Sequence, residues 1–221
     1  VSAGVEELRA AVEKLCGQDR EPFSSAGLQP NAGDCRMVRQ IITSFMLWES
    51  TLSRAERAMQ AIDSELTDAN ELRVCLPSEL ISIIGPRYPR AEERCLRLRA
   101  TLNAIFESEH RTALPELETL GKREARTALE SLDGMLPFVA ARVVLIELGG
   151  HAFPVDSRVT RLLQSHLDPQ ETASSVGSKL ERAFRAGEVA PIYAALERRL
   201  DKPARTSRSA SRSRKAGSRS P

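Results

Sequence analysis

Apolar residues recur along this chain at intervals of three and four, and no run alternates with a period of two and β-branched enrichment, so the pattern predicts an all-α fold. Val5, Leu8, Val12 and Leu15 open the chain as an amphipathic helix, with Ser2 as a candidate cap. Residues 17–33 then gather Gly, Pro and Ser into an irregular linker, long for the inside of a compact domain. Val38, Ile41, Ile42, Phe45, Trp48 and Leu52 mark a second helix, and Ala55, Met59, Ile62 and Leu66 a third. Asp68 and Ser78 are candidate caps of two short helices, the second closing at Gly85-Pro86. Across 90–107, Ala91, Cys95, Leu98, Leu102, Ile105 and Phe106 form one apolar stripe. Ala125, Leu129 and Leu132 predict the next helix. Pro137 then suits a first helical turn and Gly149 a left-handed stop. Between those two only Arg142 and Glu147 are charged, so this segment is predicted to be buried on nearly all sides, the central helix of the fold. Val159, Leu162 and Leu163, then Val176, Leu180, Ala183 and Phe184, then Ile192, Ala195, Leu196 and Leu200 predict three more helices.

With 221 residues and 41% hydrophobic content, the chain has enough apolar surface for one medium domain or two small lobes that share a core. No uninterrupted apolar run approaches membrane-spanning length, and the N-terminus lacks the charged, apolar, small-residue order of a secretory signal. The expectation is a soluble, intracellular protein of cytoplasm or nucleoid. Cys16, Cys35, Cys75 and Cys95 form none of the short pairs that metal or cluster sites use, and read as reduced, buried thiols. His110, His151 and His166 form no ligand pair at helical spacing, so no metal site is expected.

Charge changes this picture at one end. Residues 202–221 carry seven Lys or Arg and no acid, which leaves the rest of a chain of net charge +2 at −5. Ser alternates with Arg over 203–221 without a large apolar residue, so this tail is expected to be disordered. It reads either as a salt-sensitive grip on nucleic acid or as a solubilising extension. Within the body, Arg90, Arg94 and Arg97 lie at i, i+4 and i+7, a basic line able to face phosphates, or a solvated face given Glu92 and Glu93 beside it.

The stretch 132–163, LDGMLPFVAARVVLIELGGHAFPVDSRVTRLL, combines a tight hairpin, an apolar helix, a Gly-Gly stop and an Asp at the mouth of another helix. It resembles the core of the helix-hairpin-helix DNA glycosylases, the endonuclease III superfamily. There the hairpin usually reads Leu-Pro-Gly-Val-Gly-x-Lys-x-Ala, with a Val-Asp pair beyond. Leu132, Gly134 and Ala140 keep their places, and Val155-Asp156 falls at the expected distance. IGPRYPRA at 84–91 resembles the turn that precedes the long helix in glycosylases, and MLWEST at 46–51 aligns with the segment carrying the polar wedge Gln, here Glu49. The resemblance implies a two-lobed fold. Residues 1–35, the N-terminal helix and linker, would pack with 153–202 as the second helical lobe. Residues 36–152 would form the helical barrel lobe with the hairpin at 132–138.

The same resemblance implies a site. Asp156 takes the position of the carboxylate that stabilises the sugar cation or activates water as a base is released; read alone, it is an N-cap. Gly134, Met135 and Leu136 form the hairpin that grips a DNA phosphate, often with a bound monovalent cation. Glu49 stands where the wedge fills the space left by the flipped base, and Trp48 could stack on a base, although the helical pattern makes Trp48 core. Phe138 stands where bifunctional members keep a Lys, so Lys-dependent strand cleavage is not expected. Leu136 replaces the second hairpin Gly, Pro137 removes an amide donor, Ser44 stands where adenine glycosylases keep a Glu, and no Cys follows Asp156 for an iron-sulfur cluster. His151, five residues before Asp156, would line the cleft or sit on a surface loop. The expectation is a monomeric, DNA-binding glycosylase-like protein of base-excision repair, monofunctional through Asp156 and water. The competing reading is a catalytically silent module for DNA or protein interaction, with a protein partner that the sequence does not name.

Overall fold

The computed structural model describes residues 3–18, 21 and 35–201, so the Ser2 cap, most of the linker and the 203–221 tail lie outside the described residues. Eleven α-helices and no strand are found among the described residues: α1 Ala3–Cys16, α2 Arg36–Leu47, α3 Leu52–Glu65, α4 Ala69–Val74, α5 Pro77–Ile84, α6 Ala91–Glu109, α7 Lys122–Glu130, α8 Pro137–Ile146, α9 Ser157–Leu163, α10 Ala173–Ala183 and α11 Ala186–Asp201. None is long and apolar enough to cross a membrane.

Two apolar clusters organise these helices. The first is built from α2 to α8, with Phe45, Met59, Leu98, Leu102, Leu129 and Val139 at 0–1% exposure. The second joins α1 to α9, α10 and α11 through Leu8, Val12, Val159, Leu180 and Leu196. Phe153 stacks near Phe184 at 6.2 Å and meets Tyr193 edge-on at 5.8 Å, closing the second cluster on its own aromatic contacts. Helix α8 serves both: Phe138 to Val144 pack in the first cluster, and Leu145 reaches the second. That is why its sequence has almost no polar face.

The buried-all-round character extends to α2, which packs on α3, α6 and α8. Its buried polar residues find partners: Arg39 pairs with both carboxylate oxygens of Asp63, Thr43 Oγ1 donates to Arg39 O at 3.0 Å, and Ser44 Oγ donates to Gln40 O at 2.7 Å. The second helix ends sooner than its periodicity predicts. It stops at Leu47; Trp48 to Thr51 form a turn, and Leu52 begins α3. Glu49 in that turn adopts φ 55°, which no run of apolar residues could reveal. A second correction concerns Ser78, which lies inside α5. Leu76 is the N-cap there, and Glu79 Oε2 accepts from Leu76 N at 2.9 Å. Asp68, by contrast, caps α4 by accepting from Glu71 N at 2.8 Å.

Candidate functional site between the lobes

The hairpin between α7 and α8 is fastened to α6. Met135 N donates to Leu132 O at 3.1 Å to close the turn, and Thr101 Oγ1 on α6 donates to Asp133 O at 3.0 Å. Gly134 takes φ 75°, and a Cβ there would lie 2.4 Å from Arg97 O. Glycine is therefore required twice at this position, for its backbone conformation and for the close approach to α6. Leu136 is extended (φ −104°, ψ 140°), as a residue before proline should be, and Pro137 starts α8. The Met135 and Leu136 side chains turn inward and are both 9% exposed. This loop can thus offer a phosphate backbone amides but little side chain.

Across from the hairpin, α9 begins in a set of carboxylates. Asp156 is its N-cap and is 2% exposed. Oδ1 accepts from Arg158 N at 3.0 Å and Val159 N at 3.2 Å; Oδ2 accepts from Glu49 N at 3.0 Å and Arg158 Nε at 2.7 Å. Glu49 reciprocates by accepting from Ser157 N at 2.9 Å and from the Ser157 hydroxyl. Each of the three first-turn amides of α9 therefore donates to a carboxylate, one supplied by the other lobe. Left-handed backbone costs a non-glycine residue about 1–2 kcal/mol. These charge-assisted bonds, made by the Glu49 backbone and side chain together, offset that cost.

The turn carrying Glu49 is itself clamped by Arg94. This residue does not face phosphates as the basic line predicts: its side chain is fully buried, donating to Trp48 O and, at 2.8 Å, to Pro89 O. Its guanidinium lies 4.8 Å from the Tyr88 ring centre and 5.5 Å from that of Trp48. Burial pulls its pKa down to about 10. The flanking Arg90 and Arg97 both pair with Glu93, at 2.6 Å and 3.0 Å, and Arg90 also lies 5.1 Å from the Trp48 ring centre. The three arginines belong to one sequence line but not to one surface. Trp48 is 8% exposed, held between arginines.

A cavity of about 320 Å³ lies between the lobes. Asp156, Glu49, Ser157 and Trp48 line it on one side, and Leu136, Pro137 and Phe138 on the other. Asp156 and Leu136 thus meet at one cleft, with Phe138 as an apolar wall, while Gly134 and Met135 do not line it. Arg90, Arg94 and Arg97 do not line it, and neither does His151, an exposed loop residue bonded through Nε2 to Phe184 O at 3.0 Å. Sequence reasoning missed Arg126, Phe153, Glu171 and Ser174 on the same wall. Arg126 shows an i, i+4 pairing with Glu130, but its contact with Glu181 on α10, at 2.7 Å, joins residues far apart in the chain. Among the described residues no group of three His, Cys, Asp or Glu side chains is placed to hold a metal ion.

No family model matches the sequence. No curated protein matches it either. Solved structures do resemble it. A non-covalent endonuclease III–DNA complex superposes with a TM-score of 0.64 at 13% identity, over 87% of this chain and 84% of that one. A trapped endonuclease III–DNA covalent intermediate gives 0.62 at 12%, over 89% and 84%. A thermostable thymine-DNA glycosylase gives 0.60 at 14%, over 89% and 86%. The two-lobed, all-α fold of this chain is therefore that of the helix-hairpin-helix DNA glycosylases.

Proposed function

We propose that this protein binds duplex DNA across the interlobe cleft as a DNA-glycosylase-like protein of base-excision repair, and acts as a monofunctional N-glycosylase through Asp156 and water. The observation that supports this most is the cleft itself: Asp156 and the hairpin residues Leu136 to Phe138 line one cavity of about 320 Å³, within the size range of small-molecule sites. A base leaving the stack would meet apolar walls there, and a carboxylate beside its sugar would stabilise the positive charge that grows as the glycosidic bond breaks. Phe138 supplies no amine, so no Schiff base forms and the sugar–phosphate strand stays intact.

The hairpin holds a phosphate through its amides, and the tail at 203–221 adds non-specific, salt-sensitive affinity to a protein acting as a monomer. A monovalent cation would be held there by the carbonyls of Leu132 and Asp133. Each accepts one hydrogen bond and keeps a second lone pair. Such an ion would supply positive charge toward the phosphate.

One observation favours a second reading, a silent DNA-binding module. All four acceptor positions of Asp156 are filled, one of them by a guanidinium. The two readings separate on a panel of duplexes carrying oxidised, alkylated, deaminated or mismatched bases. Release of a base, abolished by Asp156→Asn, is the expected result; the asparagine oxygen still caps α9 while its NH2 faces the Glu49 amide and Arg158 Nε, so urea unfolding is read on the same variant to separate loss of chemistry from loss of fold. Duplex binding without release from any member of the panel would leave the silent reading. Borohydride should trap no covalent adduct on abasic-site DNA.

A further inference from the structure

Arg126 on α7 lines the cleft and ties it to the second lobe. Its Nε donates to Glu130 Oε1 at 3.0 Å and its Nη1 to Glu181 Oε1 on α10 at 2.7 Å. Glu181 Oε1 also accepts from Phe153 N at 3.0 Å, so the guanidinium is fixed to the segment that runs on to Asp156. Phe153 and Asp156 both line the cleft and stand three residues apart, at most about 11 Å of chain. Two carboxylates thus hold two of the three guanidinium nitrogens. The third, Nη2, meets no acceptor among the described residues and is not sealed from solvent, on a side chain 30% exposed. A guanidinium has only donors, and its fork is planar, so fixing two nitrogens also fixes the third. Among the described residues that line the cleft Arg126 is the one cation, while Glu49, Asp156 and Glu171 are carboxylates. A phosphate would meet three like charges there for one opposite charge. A neutral ring meets no such repulsion and finds a donor for an oxygen on its edge.

We propose that Arg126 selects the base taken into this cleft: Nη2 donates to a carbonyl oxygen on the edge of an extrahelical nucleobase, and favours bases with that carbonyl over those with an amino group or a hydrogen in its place. The proposal rests on the reading of the cleft as a receptor for an extrahelical base, and adds the chemical class of base it selects. An Arg126 that only ties the lobes together, or that holds a phosphate, would make no such distinction.

The test measures binding of the full chain to four duplexes. Three carry hypoxanthine, adenine or purine opposite an abasic-site analogue, on 2′-fluorinated sugars that slow base release, and the fourth is fully paired. Hypoxanthine presents a carbonyl where adenine has an amino group and purine a hydrogen. A hydrogen bond from a partly exposed guanidinium changes affinity by about fivefold, so the hypoxanthine duplex is expected to bind about fivefold more tightly than the other two unpaired duplexes. Arg126→Met should equalise the three. Arg126→Lys keeps a cation between Glu130 and Glu181 without a spare fork nitrogen, and should lose the preference while urea unfolding shows the fold intact. Equal binding of the three unpaired duplexes by the unmodified protein, a preference that survives both substitutions, or an equal weakening of every duplex by them overturns the proposal while the cleft reading stands. If the unpaired duplexes bind no better than the fully paired one, the cleft reading fails and takes the proposal with it.

Discussion

Removing the charge of Glu197 should weaken the joint between the lobes more than any surface change. Arg142 on α8 is 2% exposed and Glu197 on α11 is 6% exposed. Arg142 Nε donates to Glu197 Oε1 at 3.1 Å and Nη1 donates to Ser44 Oγ at 3.3 Å, with Tyr193 buried beside the pair. Burial alone would lower the Arg142 pKa, but Glu197 and Tyr193 together outweigh it and raise it. At an effective dielectric of about 20, unit charges at this separation attract by about 5 kcal/mol. Glu197→Gln keeps one hydrogen bond from the charged guanidinium, worth about 2 kcal/mol, so the expected loss is about 3 kcal/mol, within the range for breaking a buried pair from one side. For a chain of this size that corresponds to roughly 6–12 °C in Tm. Urea unfolding and calorimetry measure both quantities. Replacing both partners, Arg142→Met with Glu197→Leu and Tyr193→Phe, should recover most of the loss, since no unpaired polar group is left behind. A Glu197→Gln protein within about 1 kcal/mol of the original would refute the assignment of a desolvated ion pair.

Three further outcomes follow from particular contacts. Gly134→Ala places a Cβ 2.4 Å from Arg97 O at φ 75°; strain and clash together should cost about 3 kcal/mol in urea unfolding and weaken duplex binding. An unchanged urea midpoint would mean that the hairpin moves freely on α6. Hydrogen bonds from Arg9 and the Arg185 amide lower the Glu188 pKa to about 2. Its contribution to stability is thus fully present above the ordinary carboxylate value near 4.5 and is lost as pH falls toward 2. Glu188→Gln should flatten that acid limb of the urea midpoint against pH; both side chains are over one-third exposed, so the effect is small. Finally, Arg158→Ala leaves three amide donors on Asp156 and should raise base release at saturating DNA; an unchanged rate would argue that Asp156 serves as a cap alone.

Helical periodicity reports burial, so it located the helices that bury a stripe, and the Gly-Gly stop and Pro137 marked the ends of the most apolar one. It could not see where α2 ends. The Trp48–Glu49 break sits among buried residues, and its cause is a hydrogen bond to Asp156, more than a hundred positions away. Gly134 and Asp156 were legible because each does local work: one takes a left-handed turn, the other caps the helix that follows it. Arg94 misled for the opposite reason. Spacing on a helix says which residues share a face, not whether that face meets water or a Trp and a Tyr. Glu171, Arg126 and the Arg142–Glu197 pair belong to contacts between elements distant in the chain, where a charged residue in the sequence looks the same whether it is solvated or buried against a partner.

The two readings of Asp156, cap and reactant, meet in the identity of its four donors. Three are backbone amides, from Glu49, Arg158 and Val159, fixed by the turn and by α9; they position the carboxylate and cannot leave without unwinding the helix. The fourth is the Arg158 side chain, 15% exposed. A side-chain guanidinium can exchange a carboxylate for a phosphate with little loss, because both accept its planar fork. DNA in the cleft would bring such phosphates close. The cap would then remain while one lone pair of Oδ2 became available to water or to the sugar. On the proposed function, the helix cap would aim the carboxylate, and Arg158 would have to move before Asp156 could act.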